Sequence, residues 1–190
     1  PTPEECGADV AVGEGQPLGL PMAYGGATVG ILTCSKALMR RMPGRVVGQT
    51  DDAKGNRCFV LTMQAREQHI RREKALSSIC SNQALNALIA TIYLATVGKE
   101  GLKQIARQCV DKAHYLASEL VNAGAKLKFG GEFFHEFVVE GDSSKWNRLL
   151  AAEGILGGLP APDGSLWCVT EKADKKDLDL VVKAYREVNA

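Results

Sequence analysis

Short apolar runs alternate with polar loops in the first part of the chain. Ala8–Val12 and Thr28–Cys34 are apolar and bounded by turn residues, which predicts two strands. Glycine and proline fill the segment between them and exclude regular structure there. Ser35 is a suitable N-cap for a short helix over Ser35–Met42, which Pro43 would end.

A hairpin is predicted next. Val46–Thr50 and Arg57–Thr62 read as strands that flank the polar, glycine-containing segment Asp51–Asn56. The region before residue 77 thus has strands, loops and a hairpin, but no apolar set large enough for a complete core. We expect it to finish a larger sheet whose other strands precede Pro1.

The pattern then changes to a helical period. Apolar residues at three- and four-residue steps predict a helix over Ser77–Val97, with Gly98 as a left-handed C-cap, and a second over Lys99–Ala123, ended by Gly124. In the rest of the chain, segments with helical spacing of apolar residues alternate with short apolar segments typical of strands. This predicts an α/β sandwich, with helices on a small, mostly antiparallel sheet. These elements are strands Lys126–Phe129, Phe133–Glu140 and Leu166–Thr170, a helix from Asp142 or Ser143 to Glu153, and a last helix starting between Asp174 and Asp177.

Composition changes this picture little. The chain has 190 residues, 45% of them hydrophobic and 24% charged, with a net charge of +1. This balance favours neither nucleic acid nor an anionic membrane as a partner, and no apolar run is long enough to span a bilayer. The six cysteines form no Cys-x-x-Cys pair, so we expect reduced thiols, no metal site and a cytoplasmic protein.

One charged segment invites a functional interpretation. Arg66, Gln68, His69, Arg71 and Arg72 follow the hairpin closely. Arginine presents a planar fork that suits a carboxylate or a phosphate, so the segment is a candidate for a cleft or a subunit interface. Alternatively, its charges pair among themselves at helical spacing and only solvate a surface. Both interpretations stay open.

This segment also carries a family resemblance. Met42–Gly55 and Arg66–Ala75 resemble the P-protein of the glycine cleavage system, the decarboxylating glycine dehydrogenase, and Gly13–Gly19 and Val169–Lys172 fit the same family. The similarity is closer to subunit 1, the type found where the enzyme is split into two chains. It covers nearly the whole sequence, and the run Arg-Glu-Gln-His-Ile-Arg-Arg is its most specific part.

The resemblance implies the type I fold of pyridoxal-phosphate (PLP) enzymes, an α/β fold. Residues 1–76 would be the end of the large domain, residues 77–98 a connecting helix, and residues 99–190 the small C-terminal domain. The family's catalytic half holds PLP as a Schiff base on a lysine shortly before a Gly-Gly pair. Counting back from Gly25-Gly26, that position is Gln16, whose amide forms no imine.

The resemblance therefore implies no catalytic residue in this chain and PLP held by a partner. Expected partners are a lysine-bearing subunit 2, in a heterotetramer, and the lipoylated H-protein that receives the aminomethylene group of glycine. Two alternatives stay open. One is a self-sufficient PLP enzyme whose lysine lies upstream of Pro1, and the other is a non-catalytic dimerisation module.

Overall fold

The computed structural model describes residues 2–43, 46–62, 68–75 and 83–189. The chain divides into two compact units, Pro1–Thr96 and Val97–Ala190. No helix among the described residues combines the length and apolar character needed to cross a membrane.

The first unit contains two antiparallel strand pairs. Strand β1, Val10–Glu14, pairs with β2, Gly30–Cys34, so that Val10 lies opposite Cys34. The predicted strand Ala8–Val12 was therefore set two residues too early, because pairing with β2 and not apolar character determines its ends. The second predicted strand is confirmed apart from its first two residues.

The predicted hairpin is confirmed. Strands β3, Val46–Asp51, and β4, Arg57–Thr62, pair in antiparallel register. Oδ1 of Asp52 accepts hydrogen bonds from the backbone N–H groups of Lys54 and Asn56, both at 2.8 Å. These bonds lower the pKa of Asp52, the largest contribution coming from the Asn56 N–H.

The helix predicted over Ser35–Met42 is wrong. The chain makes a turn and then a short 3-10 helix, Met39–Arg41. The buried hydroxyl of Ser35 has no hydrogen-bond partner among the described residues, so Ser35 is not an N-cap. A short helical stretch, α1, covers Gln68–Arg71.

Helix α2, Ala84–Asn122, contains both predicted long helices and is interrupted at Gly98. The break falls where the sequence predicts it, but Gly98 has φ 63° and ψ −178°, an extended conformation open to glycine and not the left-handed helical one. At the other end, Gly124 N–H donates to Val121 and Ala125 N–H donates to Leu120, the paired bonds of a Schellman motif. The predicted helix end at Gly124 is confirmed.

The second unit is the expected α/β sandwich. Strands β5, Glu136–Glu140, β6, Leu159–Ala161, and β7, Gly164–Cys168, form an antiparallel sheet in the order β5-β7-β6. Helices α3, Ser144–Ala152, and α4, Lys175–Asn189, complete the unit. Strand β6 was not predicted, and the predicted strand Lys126–Phe129 is reduced to one bridge between Leu127 and Val139.

Apolar side chains from α2, β5, α3, β7 and α4 form one buried cluster. Trp146 and Trp167 pack with ring centroids 4.4 Å apart, and Trp146 donates its indole N–H to the Val181 carbonyl. The largest fully buried apolar side chains of the cluster are Leu116, Leu120, Val139 and Leu150.

Candidate functional site

The loop between β1 and β2 is organised by the carboxylate of Glu14. Its Oε1 accepts the backbone N–H of Gln16 at 2.8 Å and that of Val29 at 3.2 Å. Gly15 N–H donates to the Val29 carbonyl at 2.7 Å. One side chain thus holds both ends of a long glycine-rich loop, because strand β1 delivers it to the point where the chain leaves the sheet.

Two glycines in this loop are required by close contacts. A Cβ on Gly15 would lie 2.8 Å from both the Val29 carbonyl oxygen and the Val29 side chain. Gly19 has φ +87°, and a Cβ there would lie 2.9 Å from the Cβ of Tyr93. No side chain fits at either place without displacing its neighbour.

Residues in the first part of α2 contact the same loop. Asn86 is buried, and its amide Nδ2 donates to the Thr28 carbonyl at 2.9 Å. Tyr93, two turns further along, lies against Gly19. Sequence reasoning missed Glu14, Asn86 and Tyr93, since their roles depend on contacts between segments far apart in the chain.

Gln16 is half-buried within this loop. Its side-chain amide Nε2 donates to the Pro21 carbonyl at 3.3 Å. The amide is therefore engaged in holding a turn, and it has no nucleophilic amine. The residues at this position do not fit a covalently held PLP.

A tight turn follows at the Gly pair. Tyr24 has φ 51° and Gly25 has φ 77°, and Gly26 N–H donates to the Ala23 carbonyl at 2.7 Å. Positive φ at both central residues is the geometry of a type I′ turn. Tyr24 itself is fully exposed and holds the strained conformation with its ring in solvent.

The described part of the charged segment lies on the surface. Gln68, His69 and Arg71 share helix α1, and Arg72 begins a 3-10 turn, Arg72–Lys74. All four side chains are exposed. Arg72 has φ 51°, a conformation that non-glycine residues seldom adopt. The structure thus brings four of the five candidates onto one stretch.

Arg66 lies outside the described residues, as does Glu67. The alternative in which the segment's charges pair internally therefore stays a prediction. Gln16 belongs to the separate loop that Glu14, Asn86 and Tyr93 hold.

The described cysteines are free thiols. Cys109 is buried, and desolvation raises its pKa, with the neighbouring Glu171 carboxylate adding to the effect. Burial also raises the pKa of Cys168, to which Glu136 contributes. Reduced thiols were predicted for this chain.

Solved structures of low sequence identity show the fold class of the chain. The chain superposes on a Burkholderia pseudomallei sphingosine-1-phosphate lyase with a TM-score of 0.60 at 16% identity, and on a Thermus thermophilus aspartate aminotransferase with 0.55 at 16%. The matches cover 96% and 97% of this chain and 38% and 50% of those chains. This is the PLP-dependent type I fold, as predicted.

The family follows from closer matches. The family model of the glycine cleavage system P-protein matches residues 1–185, and the chain belongs to that family. It is 42% identical, with a TM-score of 0.89, to a glycine decarboxylase (P-protein) of the glycine cleavage system solved in inhibitor-bound form, over 99% of this chain and 45% of that one. The predicted family and fold are both confirmed.

The names of the curated relatives specify one subunit of the enzyme. Probable glycine dehydrogenase (decarboxylating) subunit 1 of Syntrophomonas wolfei is 52% identical over 94% of this chain and 41% of its own length. The protein of the same name from Carboxydothermus hydrogenoformans is 52% identical over 95% and 43%. This chain therefore spans about two fifths of the length of these relatives.

Proposed function

We propose that this chain is part of subunit 1 of a split glycine decarboxylase, the subunit that lacks the PLP lysine. Glycine would be decarboxylated with a lysine-bearing subunit 2 in a cytoplasmic heterotetramer, and the aminomethylene group would pass to the lipoyl arm of H-protein. The observation that carries the proposal is the Gln16 amide, which donates to the Pro21 carbonyl in a loop within the residues that the family model matches.

The charged segment would then face the partner's cleft. Arg71 and Arg72 present guanidinium groups on an exposed helical stretch, together with Gln68 and His69. Glycine carries a carboxylate and PLP a phosphate, and both suit a bidentate arginine. Arg66 would extend this surface. We likewise propose the domain limits 1–76, 77–98 and 99–190.

The cofactor assignment is tested on the isolated full-length subunit. We expect no visible Schiff-base band after PLP is added, and no lysine labelled after borohydride reduction. Labelling of a lysine in this subunit would overturn the assignment and favour a self-sufficient PLP enzyme. The complex with subunit 2 should label only the partner.

The cleft assignment is tested by glycine–bicarbonate exchange in the assembled enzyme. Arg66→Ala and Arg72→Ala should each lower exchange about 10-fold or more, since a lost hydrogen bond to a charged group costs about 1.5–3 kcal/mol. Arg186→Ala, at an exposed arginine of the second unit, is the matched control. Unchanged exchange with a lower melting temperature would make the segment structural, and no exchange by the wild-type complex would favour a non-catalytic module.

A further inference from the structure

Three potential metal ligands meet at one end of the β5–β7 pair. Glu136 lies directly opposite Cys168 in the antiparallel register. His135 immediately precedes β5, and its carbonyl accepts the N–H of Val169 at 3.0 Å, so the pairing continues past the ends of both strands. Sheet hydrogen bonds thus hold the backbones of all three residues in place.

The ligand atoms of these side chains are close together. One ring nitrogen of His135, a carboxylate oxygen of Glu136 and the sulfur of Cys168 all lie within 4.8 Å of one another. Around tetrahedral zinc, with bonds of about 2.0–2.3 Å, such atoms are about 3.3–3.8 Å apart. A tetrahedral site therefore requires these ligand atoms to approach one another by up to about 1.5 Å.

The imidazole of His135 has unused bonding capacity. Its Nδ1 is buried and makes no hydrogen bond with any described residue. Buried polar atoms in folded proteins are nearly always partnered, so this nitrogen calls for an explanation. The Phe134 ring packs edge-on against the imidazole, with centroids 4.7 Å apart, and restricts its orientation.

The donor set selects the kind of ion. Nitrogen, sulfur and a single carboxylate suit borderline divalent ions and not calcium or magnesium, which take oxygen ligands. Glu136 and Cys168 are exposed, so an ion can reach the site from solvent. Cys109 lies near enough to influence Cys168, but it is buried and donates to Glu171, which leaves it outside the set.

We propose that His135, Glu136 and Cys168 form a zinc-binding site with a fourth position open to water or to an external ligand. The site lies in the second unit and is independent of the proposed function. It departs from the expectation of no metal site, which rested on spacing along the chain. Pairing of β5 with β7 supplies the proximity that spacing does not show.

Cobalt is the direct probe. The full chain, reduced with a phosphine and freed of metal, is titrated with Co²⁺. We expect a thiolate-to-cobalt charge-transfer band, visible d–d bands of a four-coordinate ion, and loss of both on addition of one equivalent of Zn²⁺. Absence of the charge-transfer band at millimolar Co²⁺ would overturn the proposal.

Substitutions distinguish Co²⁺ binding at this site from Co²⁺ binding elsewhere on the surface. Cys168→Ser should abolish the charge-transfer band, and Glu136→Gln and His135→Gln should each weaken Co²⁺ affinity at least 10-fold. Cys6→Ser, at an exposed thiol, and Glu140→Gln, at an exposed carboxylate on the same strand, are controls expected to bind as wild type. A band that survives in Cys168→Ser, or is lost in Cys6→Ser, contradicts the assignment.

Thermal unfolding gives a second readout. Zinc at about 100 times its dissociation constant should raise the melting temperature by about 5–10 °C in wild type. The increase should disappear in Cys168→Ser and become smaller in Glu136→Gln. Both residues are exposed, so we expect both variants to fold without metal. An equal increase in these variants would show that zinc binds elsewhere.

Discussion

The two units differ in the interactions that stabilise them. In the second, helices and sheet bury one continuous apolar cluster that contains Leu116, Leu120 and Leu150. In the first, large apolar side chains remain in solvent, with Val12 77% and Phe59 62% exposed. The first unit depends instead on backbone pairing and on single polar side chains. Polar contacts can thus hold a loop in one conformation where apolar burial is small.

The largest effect is expected in the apolar cluster. Leu150→Ala removes a side chain with 0% exposure and should lower the free energy of unfolding by about 2–5 kcal/mol, because it leaves a cavity. Leu85→Ala, at 69% exposure in the first unit, should change it by less than about 0.5 kcal/mol. Urea unfolding of both variants checks the contrast. Equal losses would show that the apolar helix face of the first unit is covered.

A smaller effect is expected at the loop. Gly19→Ala combines a left-handed φ with the contact to Tyr93 and should cost about 2–3 kcal/mol. Gly7→Ala is the matched control, since Gly7 has φ +77° but open space around it, and only the φ cost of about 1 kcal/mol applies. Hydrogen exchange of the Leu18 and Leu20 amides reports on the loop. Equal exchange in both variants would contradict a role for the Tyr93 contact.

The next largest effect is expected for Asn86→Ala. It leaves the Thr28 carbonyl without its amide donor and should lower stability by about 1 kcal/mol. Protease cleavage within the loop between β1 and β2 should become faster. Asn122→Ala, which removes an exposed amide bound to Glu119, should leave cleavage unchanged. Cleavage at the wild-type rate in Asn86→Ala would show that Glu14 suffices to hold the loop.

The smallest effect concerns pH. The folded pKa of Asp52 is lowered from 3.8, mainly by the Asn56 N–H, so its contribution to stability is fully present above about pH 4 and lost as pH falls through the folded pKa. Titration of the Asp52 carboxyl by NMR should give a value below 3.8. Asp52→Asn should remove this part of the acid sensitivity of the β3–β4 hairpin. A carboxyl titrating at or above 3.8 would contradict the turn geometry.

Much of the fold was predictable because it depends on local chemistry. Gly98 and Gly124, the glycines predicted to end the long helices, both have positive φ, and the turn of the β3–β4 hairpin forms around Asp52 as its residue types suggest. The site was less predictable. Gln16 was identified by resemblance, but that its amide is bound to the Pro21 carbonyl is a tertiary fact.

The sequence by itself determined the family, the fold class, the strand-rich and helical halves, and where the long helices end, because motif, period and glycine position are properties of neighbouring residues. Only the tertiary structure decided that β1 begins at Val10, that Asn86 and Tyr93 hold the loop containing Gln16, and that Cys168 meets Glu136. Those facts depend on which distant segments pair, and a strand's partner determines its register and neighbours more than its own residues do.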